Sequence, residues 1–134
     1  MPPVTIPLSS DARERLLLAI ADRVGPERLT ELHFFPPLRQ GTIETGVAVI
    51  AAVSESASEP RHEVFSARYR WTRKGPERGR WETEVVAEAD APLITVETVV
   101  RGVRERANEA AEPDRMTGDA ARALIEDLRC RTTP

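Results

Sequence analysis

Apolar residues recur at helical spacing near the start of the chain. They follow a segment, 1–8, that contains three prolines and is expected to form an extended arm. Ser9 or Ser10 can cap a helix at its start, and Gly25 can end it. Between them the apolar positions share one helical face: Leu16, Leu17, Ile20, Ala21 and Val24. The pattern predicts a helix over residues 10–24.

Four later segments have the pattern of β-strands, namely 28–35, 43–53, 63–73 and 80–89. The second is apolar at both odd and even positions, which is typical of a central strand covered on both faces. The third and fourth alternate between apolar and polar residues and are joined by the loop KGPERG, which predicts a hairpin. Together the four segments predict an antiparallel meander.

Two amphipathic segments near the C-terminus, 95–111 and 118–129, predict helices packed on the sheet. Residues 130–134 are expected to fray. The fold class expected for the chain is therefore α+β, with an N-terminal helix, a four-stranded antiparallel meander and two C-terminal helices, in one domain over 1–134. This plan is shared by bacterial adaptors, secretion chaperones and ligand-binding modules, and a shared plan fixes no function.

Composition narrows the class of protein. A chain of 134 residues is long enough for one domain with its own core. Its net charge of -3 argues against attraction of the whole protein to nucleic acid or to an anionic membrane. Cys130 is the single cysteine, which leaves no internal disulfide. No signal-peptide pattern and no apolar run of about 18 residues is present, so a cytoplasmic protein without a membrane partner is expected.

The charge reverses between Arg61 and Arg80, where seven basic residues meet two acidic ones. Tyrosine and tryptophan are interleaved with the basic residues. The predicted loop contains three basic residues without an obvious acidic partner nearby in the sequence, namely Arg73, Lys74 and Arg78. This pattern predicts phosphate binding by the three loop residues, and with it nucleic-acid binding.

A simpler interpretation of the same segment is cross-strand pairing. Arg68 and Arg70 are expected on the same sheet face as Glu82 and Glu84 of the neighbouring strand, and such pairs stabilise sheets modestly. The alternation also places the aromatic side chains on the opposite face, away from the arginines.

A second candidate is an apolar sheet surface. If the helices cover the face that carries Val49 and Trp71, the other face exposes a set of large apolar residues that is typical of a protein interface. This set comprises Leu32, Phe34, Ile50 and Val86. A homodimer or another protein partner would bury it. The alternative is that a helix of the same chain covers it.

The third candidate is the loop PPLRQG with the strand ends beside it. Arg39 and Gln40 can hydrogen-bond a ligand there, and His33 and Glu44 flank the loop as a possible acid–base pair. The alternative is an ordinary hairpin loop.

No motif of a known catalytic or nucleotide-binding site is present. Two histidines and one cysteine are too few for a zinc site, so neither a metal nor a cofactor is predicted. The leading hypothesis is a non-catalytic interaction or adaptor domain that self-associates through the apolar sheet face. Nucleic-acid or phosphate-ligand binding by the hairpin 68–80 is one alternative, and a small-molecule binder or enzyme near the 36–41 loop is the other.

Overall fold

The computed structural model describes residues 3–53, 62–87 and 113–132. Within them, a 3-10 turn (Pro26–Arg28) follows the first of two helices, and seven strands form one sheet. The helices and strands are β1 (Val4–Thr5), α1 (Ser10–Val24), β2 (Leu29–Phe34), β3 (Leu38–Gln40), β4 (Ile43–Val53), β5 (His62–Thr72), β6 (Trp81–Ala87), β7 (Asp114–Thr117) and α2 (Gly118–Thr132).

The sheet is antiparallel and curled around the central strand β4. Along one edge β4 pairs with β5 over its full length, and along the other it pairs first with β3 and then with β2. Prolines Pro36 and Pro37 separate β2 from β3 because proline has no N–H to give to the ladder. Beyond this bent row lie β7 on β2 and β1 on β3, while β6 borders β5.

Helix α1 forms where the sequence predicts it. The Ser9 hydroxyl accepts a hydrogen bond from the backbone N–H of Ala12 at 3.1 Å and caps the first turn. Gly25 ends the helix with φ 90°, a conformation that a side chain would strain. The buried face of α1 contains Ala12 and all five apolar residues of the predicted stripe: Leu16, Leu17, Ile20, Ala21 and Val24.

The core lies between the two helices and one face of the sheet, here called the helix face. Strand residues Leu32, Phe34, Ile50 and Phe65 are buried there against α1 and α2. The 3-10 turn between α1 and β2 is held by Arg122, whose guanidinium donates to the carbonyl oxygens of Pro26 and Leu29. The opposite face of the sheet, here called the outer face, carries a second set of buried side chains: Val49, Ala51, Val64 and Ser66.

The predicted plan of four strands and two C-terminal helices is wrong. The described residues contain seven strands, with one helix at the N-terminal end and one at the C-terminal end. The prediction missed β1, β3 and β7, which are two to four residues long and too short to show an alternating pattern. Val4 and Thr5, within the segment expected to be an extended arm, form β1 and pair with β3. The predicted helix at 95–111 lies outside the described residues.

Candidate functional site

The β5–β6 hairpin carries the basic segment, and its loop is well ordered by hydrogen bonds. Gly75 and Gly79 adopt φ values of 91° and 82°, which glycine tolerates without strain. The Gly79 N–H donates to the Thr72 carbonyl at 2.7 Å, and the Arg73 N–H donates to the Thr42 carbonyl at 2.8 Å. The loop is therefore closed on itself and tied to the turn between β3 and β4.

Arg68 and Arg70 project from the outer face of β5 and are exposed. Glu84 and Glu82 lie directly opposite them on β6. Neither arginine forms an ion pair with a described carboxylate, and Glu82 instead contacts Arg80 at 3.0 Å. The cross-strand pairing that the alternation allowed is thus not formed within the described part of the chain.

The loop residues Lys74 and Arg78 are exposed, and neither is ion-paired to a carboxylate of the described residues. Arg73 places its guanidinium 5.8 Å from the centre of the Trp71 ring, which is a cation–π contact. A guanidinium stacked in this way keeps its N–H donors available at its edge. Three loop cations therefore remain able to take an anion.

The arginines elsewhere in the described chain behave differently. Apart from Arg23, which lies 5.9 Å over the ring of Phe65, every one of them contacts a carboxylate. The pairs outside the hairpin are Arg13–Asp114, Arg15–Asp11, Arg28–Glu63, Arg39–Glu44, Arg115–Glu31, Arg122–Asp119, Arg129–Asp22 and Arg131 with Glu14 and Asp127. Among the residues that the structure describes, cations without a carboxylate partner are therefore concentrated in the β5–β6 hairpin.

The aromatic residues of the hairpin lie on the helix face, as the alternation predicts. Tyr69 and Trp81 stack with their ring centres 4.5 Å apart and an interplanar angle of 9°. Arg15 of α1 lies 5.0 Å from the Trp81 ring. These rings pack against the protein itself and do not stand beside Arg68 and Arg70, so the arrangement offers contacts for phosphates rather than a surface for base stacking.

Of the predicted ligand loop, the structure brings Arg39 and Glu44 together. They are cross-strand partners on the helix face, with Arg39 Nη2 3.7 Å from Glu44 Oε1. Glu44 is only 5 % exposed, and its other oxygen accepts a hydrogen bond from the Tyr69 hydroxyl at 2.7 Å. The carboxylate thus has partners within the protein on both oxygens.

His33 and Glu44 do not form the predicted acid–base pair. His33 pairs with Val49 on the outer face, whereas Glu44 is on the helix face. His33 Nε2 instead lies 3.4 Å from Glu31 Oε2, and Glu31 also contacts Arg115 at 2.8 Å. Gln40, at the end of β3, is exposed next to the two-residue turn.

Three residues of the predicted apolar interface are core residues. Leu32, Phe34 and Ile50 are 0 %, 2 % and 0 % exposed beneath the helices, so they offer no surface to a partner. Val86 is 38 % exposed and lies on the outer face. The premise that Val49 and Trp71 share the covered face was wrong, because Trp71 packs against the helix-face core whereas Val49 lies on the outer face.

The sequence pattern assigns no role to Tyr69, although it contains a signal for the close packing of this residue. Gly46 is the strand residue directly opposite Tyr69, and a Cβ atom at Gly46 would overlap the tyrosine ring. Glycine inside a strand is a known sign of such close approach. Burial, followed by the hydrogen bond to Glu44 and the charge of Glu44, raises the pKa of the Tyr69 hydroxyl far above its ordinary value.

No described helix has the length and apolar character needed to cross a membrane. Within the described ranges, no three histidine, cysteine or acidic side chains gather as they would around a metal ion. No protein-family model, curated protein or solved structure matches the chain. The geometry of the hairpin is accordingly the basis for the functional proposal.

Proposed function

We propose that this protein is a non-catalytic binding module for phosphate-bearing polyanions and that the β5–β6 hairpin is its binding site. The observation that carries the proposal is the distribution of ion pairs. Within the described chain, arginines outside the hairpin are neutralised by carboxylates with the single exception of Arg23, while Arg68, Arg70 and the three loop cations are not. Surface arginines left without carboxylates in one place favour an external anion as their partner.

The order of the loop adds to this argument. Binding is weakened when flexible segments must become ordered, and this loop is already fixed by backbone hydrogen bonds at Thr72 and Arg73. Guanidinium groups also match phosphate oxygens geometrically, with two N–H donors on two oxygens. Anion binding here needs only side-chain rearrangement.

The position of the aromatic rings favours contact with phosphates alone. Since Tyr69 and Trp81 stack on each other on the helix face, bases have no ring beside Arg68 and Arg70 on which to stack. Recognition of nucleic acid by this site is therefore expected to be independent of sequence. A cytoplasmic location, expected from the sequence, is compatible with such ligands.

The direct test is the fluorescence anisotropy of a labelled single-stranded oligonucleotide of about 20 nucleotides, titrated with protein at several salt concentrations. Five phosphate contacts predict a salt slope near -3.5, which is an affinity loss of about 100-fold between roughly 50 and 200 mM salt. Affinity that does not change with salt would contradict the proposal.

Two matched triple variants decide whether the hairpin is the site. Changing Arg73, Lys74 and Arg78 to serine is expected to weaken binding strongly and to reduce the salt slope by about 2 units. The control changes three exposed arginines on the helices to serine, and so removes the same charge: Arg15, Arg129 and Arg131. Equal losses in both variants would show general charge attraction instead of a site.

A further inference from the structure

We infer that the hairpin site selects a single polyphosphate strand over a duplex, an inference that rests on the proposed function. The outer face carries three parallel rows of side chains at this point. Arg68 and Arg70 form the basic row on β5, and Glu84 and Glu82 form an acidic row directly opposite on β6. Their alignment sets what shape of anion the surface accepts.

The third row lies on the other side of the arginines and is uncharged. Val47 and Thr45 of β4 are directly opposite Arg68 and Arg70. The three rows line an open groove of about 460 Å³. Across the outer face the charge therefore runs from neutral through positive to negative, and adjacent rows are only about 4.8 Å apart.

A single strand of phosphates fits this pattern. Successive side chains on one face of a strand are about 6.7 Å apart, so a chain of phosphates can follow the basic row towards Lys74 and Arg78 in the loop. It can lean over the neutral row and keep away from Glu82 and Glu84. A flexible strand can also follow the twist of the sheet.

A duplex does not fit in the same way. It presents two phosphate backbones across grooves of about 6 and 12 Å, and it is stiff over about 150 base pairs. A duplex whose first backbone contacts Arg68 and Arg70 covers the acidic row as well, where Glu84 repels phosphate and the charge of Glu82 is offset only by Arg80. Among the described residues, the cation beside the acidic row is Arg80, and its guanidinium is already paired with Glu77 and Glu82, so it is not free to hold the second backbone.

The test compares three unlabelled competitors against a labelled single strand: the same single strand, its duplex and inorganic polyphosphate of similar charge. The single strand is expected to compete at least tenfold better than the duplex, and polyphosphate is expected to compete as well because the site reads linked phosphates. Whichever of the two single chains competes better at equal phosphate concentration identifies the source of the ligand.

A paired variant tests the role of the acidic row. The double variant Glu82→Gln with Glu84→Gln is expected to strengthen duplex binding several-fold more than single-strand binding. The ratio of single-strand affinity to duplex affinity should therefore fall. The control, Glu27→Gln with Glu126→Gln, removes the same charge from exposed positions by the α1–β2 turn and on α2 and should leave the ratio unchanged.

Each result has a clear consequence. Equal binding of single strand and duplex overturns the inference and leaves the proposed function standing. The same holds if the double variant Glu82→Gln with Glu84→Gln does not change the ratio of single-strand to duplex affinity. A single strand that binds while polyphosphate fails to compete also overturns it. If none of the three anions binds, the proposed function fails as well.

Discussion

The arginines show how the environment of one residue decides its role. Arg28 donates to the Val24 and Val53 carbonyls and contacts Glu63 at 2.6 Å, so its charge is used within the fold. Arg68 carries the same guanidinium, but it is exposed and not ion-paired within the described chain. The sequence predicts a strand position for both arginines and does not distinguish them. Only the structure separates an arginine that is bound within the fold from one that remains available to an external anion.

The sequence could not predict the cluster formed by Arg39, Glu44 and Tyr69. Alternation within β4 indicates that Glu44 shares a face with Ile50, but it shows neither that Trp71 of β5 lies on this face nor that the face is covered by α1. Burial of the carboxylate depends on tertiary packing, which a local pattern does not report. The hydrogen bond from Tyr69 compensates for part of the lost hydration.

We predict that Tyr69 does not ionise in the folded protein at pH values where a free tyrosine does. The unfolded chain loses this proton near pH 10, whereas the folded chain retains it because the pKa of Tyr69 is raised. The contribution of Tyr69 to the free energy of unfolding is therefore fully present below about pH 10. Above that pH the free energy of unfolding falls, by up to about 1.4 kcal/mol per pH unit. Tyr69 is the single tyrosine, so phenolate absorbance measures it directly.

The control for that titration is the protein in urea, whose absorbance should change near pH 10. Ionisation of the native protein at the same pH as the unfolded chain would contradict the burial of Tyr69. The variant Tyr69→Phe should lose the dependence of stability on pH in this range.

We also predict that Gly46→Ala destabilises the protein by about 1–3 kcal/mol, since the added methyl group would overlap the Tyr69 ring. Urea unfolding followed by circular dichroism measures the change. Thr45→Ala, at the exposed neighbouring position, is the control and should change stability by less than about 0.5 kcal/mol. Similar values for the two variants would show that Tyr69 has room to move.

At the scale of helices and strands, the elements that could be predicted are the long ones and those with a clear periodic pattern of apolar residues. Helix α1 and strand β4 have the bounds that the sequence predicts, and the β5–β6 hairpin lies within one or two residues of its prediction. The register between β4 and β5 could not be read in this way. Ile50 pairs with Phe65, so even positions of β4 share a face with odd positions of β5. A shift of one residue exchanges the two faces, and the predicted apolar surface failed for that reason.

The close approach of α2 to β2 gives a prediction at the scale of elements. Gly118 begins α2, and a Cβ atom there would overlap the backbone carbonyl of Leu29. Glycine to alanine in a helix normally stabilises by about 0.5–1 kcal/mol, but Gly118→Ala should destabilise by about 2 kcal/mol because backbone cannot move aside easily. The opposite sign, measured by urea unfolding, would contradict this packing.

An exposed position on the same helix supplies the control for α2. Ala123→Gly should cost about 1 kcal/mol through helix propensity alone. A loss at Gly118 accompanied by weaker helix signal, but with β-sheet signal retained, would locate the damage at the contact between α2 and β2.

At the scale of the whole molecule, burial of the predicted interface changes what a mutation at Ile50 means. If Ile50 were on an open surface, Ile50→Asp would dissociate a dimer and leave the fold intact. Ile50 is instead 0 % exposed between the sheet and the helices, so the variant buries an unpaired carboxylate. The cost of several kcal/mol is comparable with the total stability of a domain, about 5–15 kcal/mol, and we expect the variant to be largely unfolded.

Val86→Asp provides the contrast, because Val86 is 38 % exposed on the outer face of β6 and its variant should fold. Circular dichroism reports the fold of both variants, and light scattering after size exclusion reports their mass. A folded Ile50→Asp with half the mass of the parent would restore the dimer hypothesis and show that the helices do not cover this face. An unfolded Ile50→Asp beside a folded Val86→Asp means that the apolar residues of β2 and β4 hold the molecule together as its core and that this face of the sheet is not open to a partner.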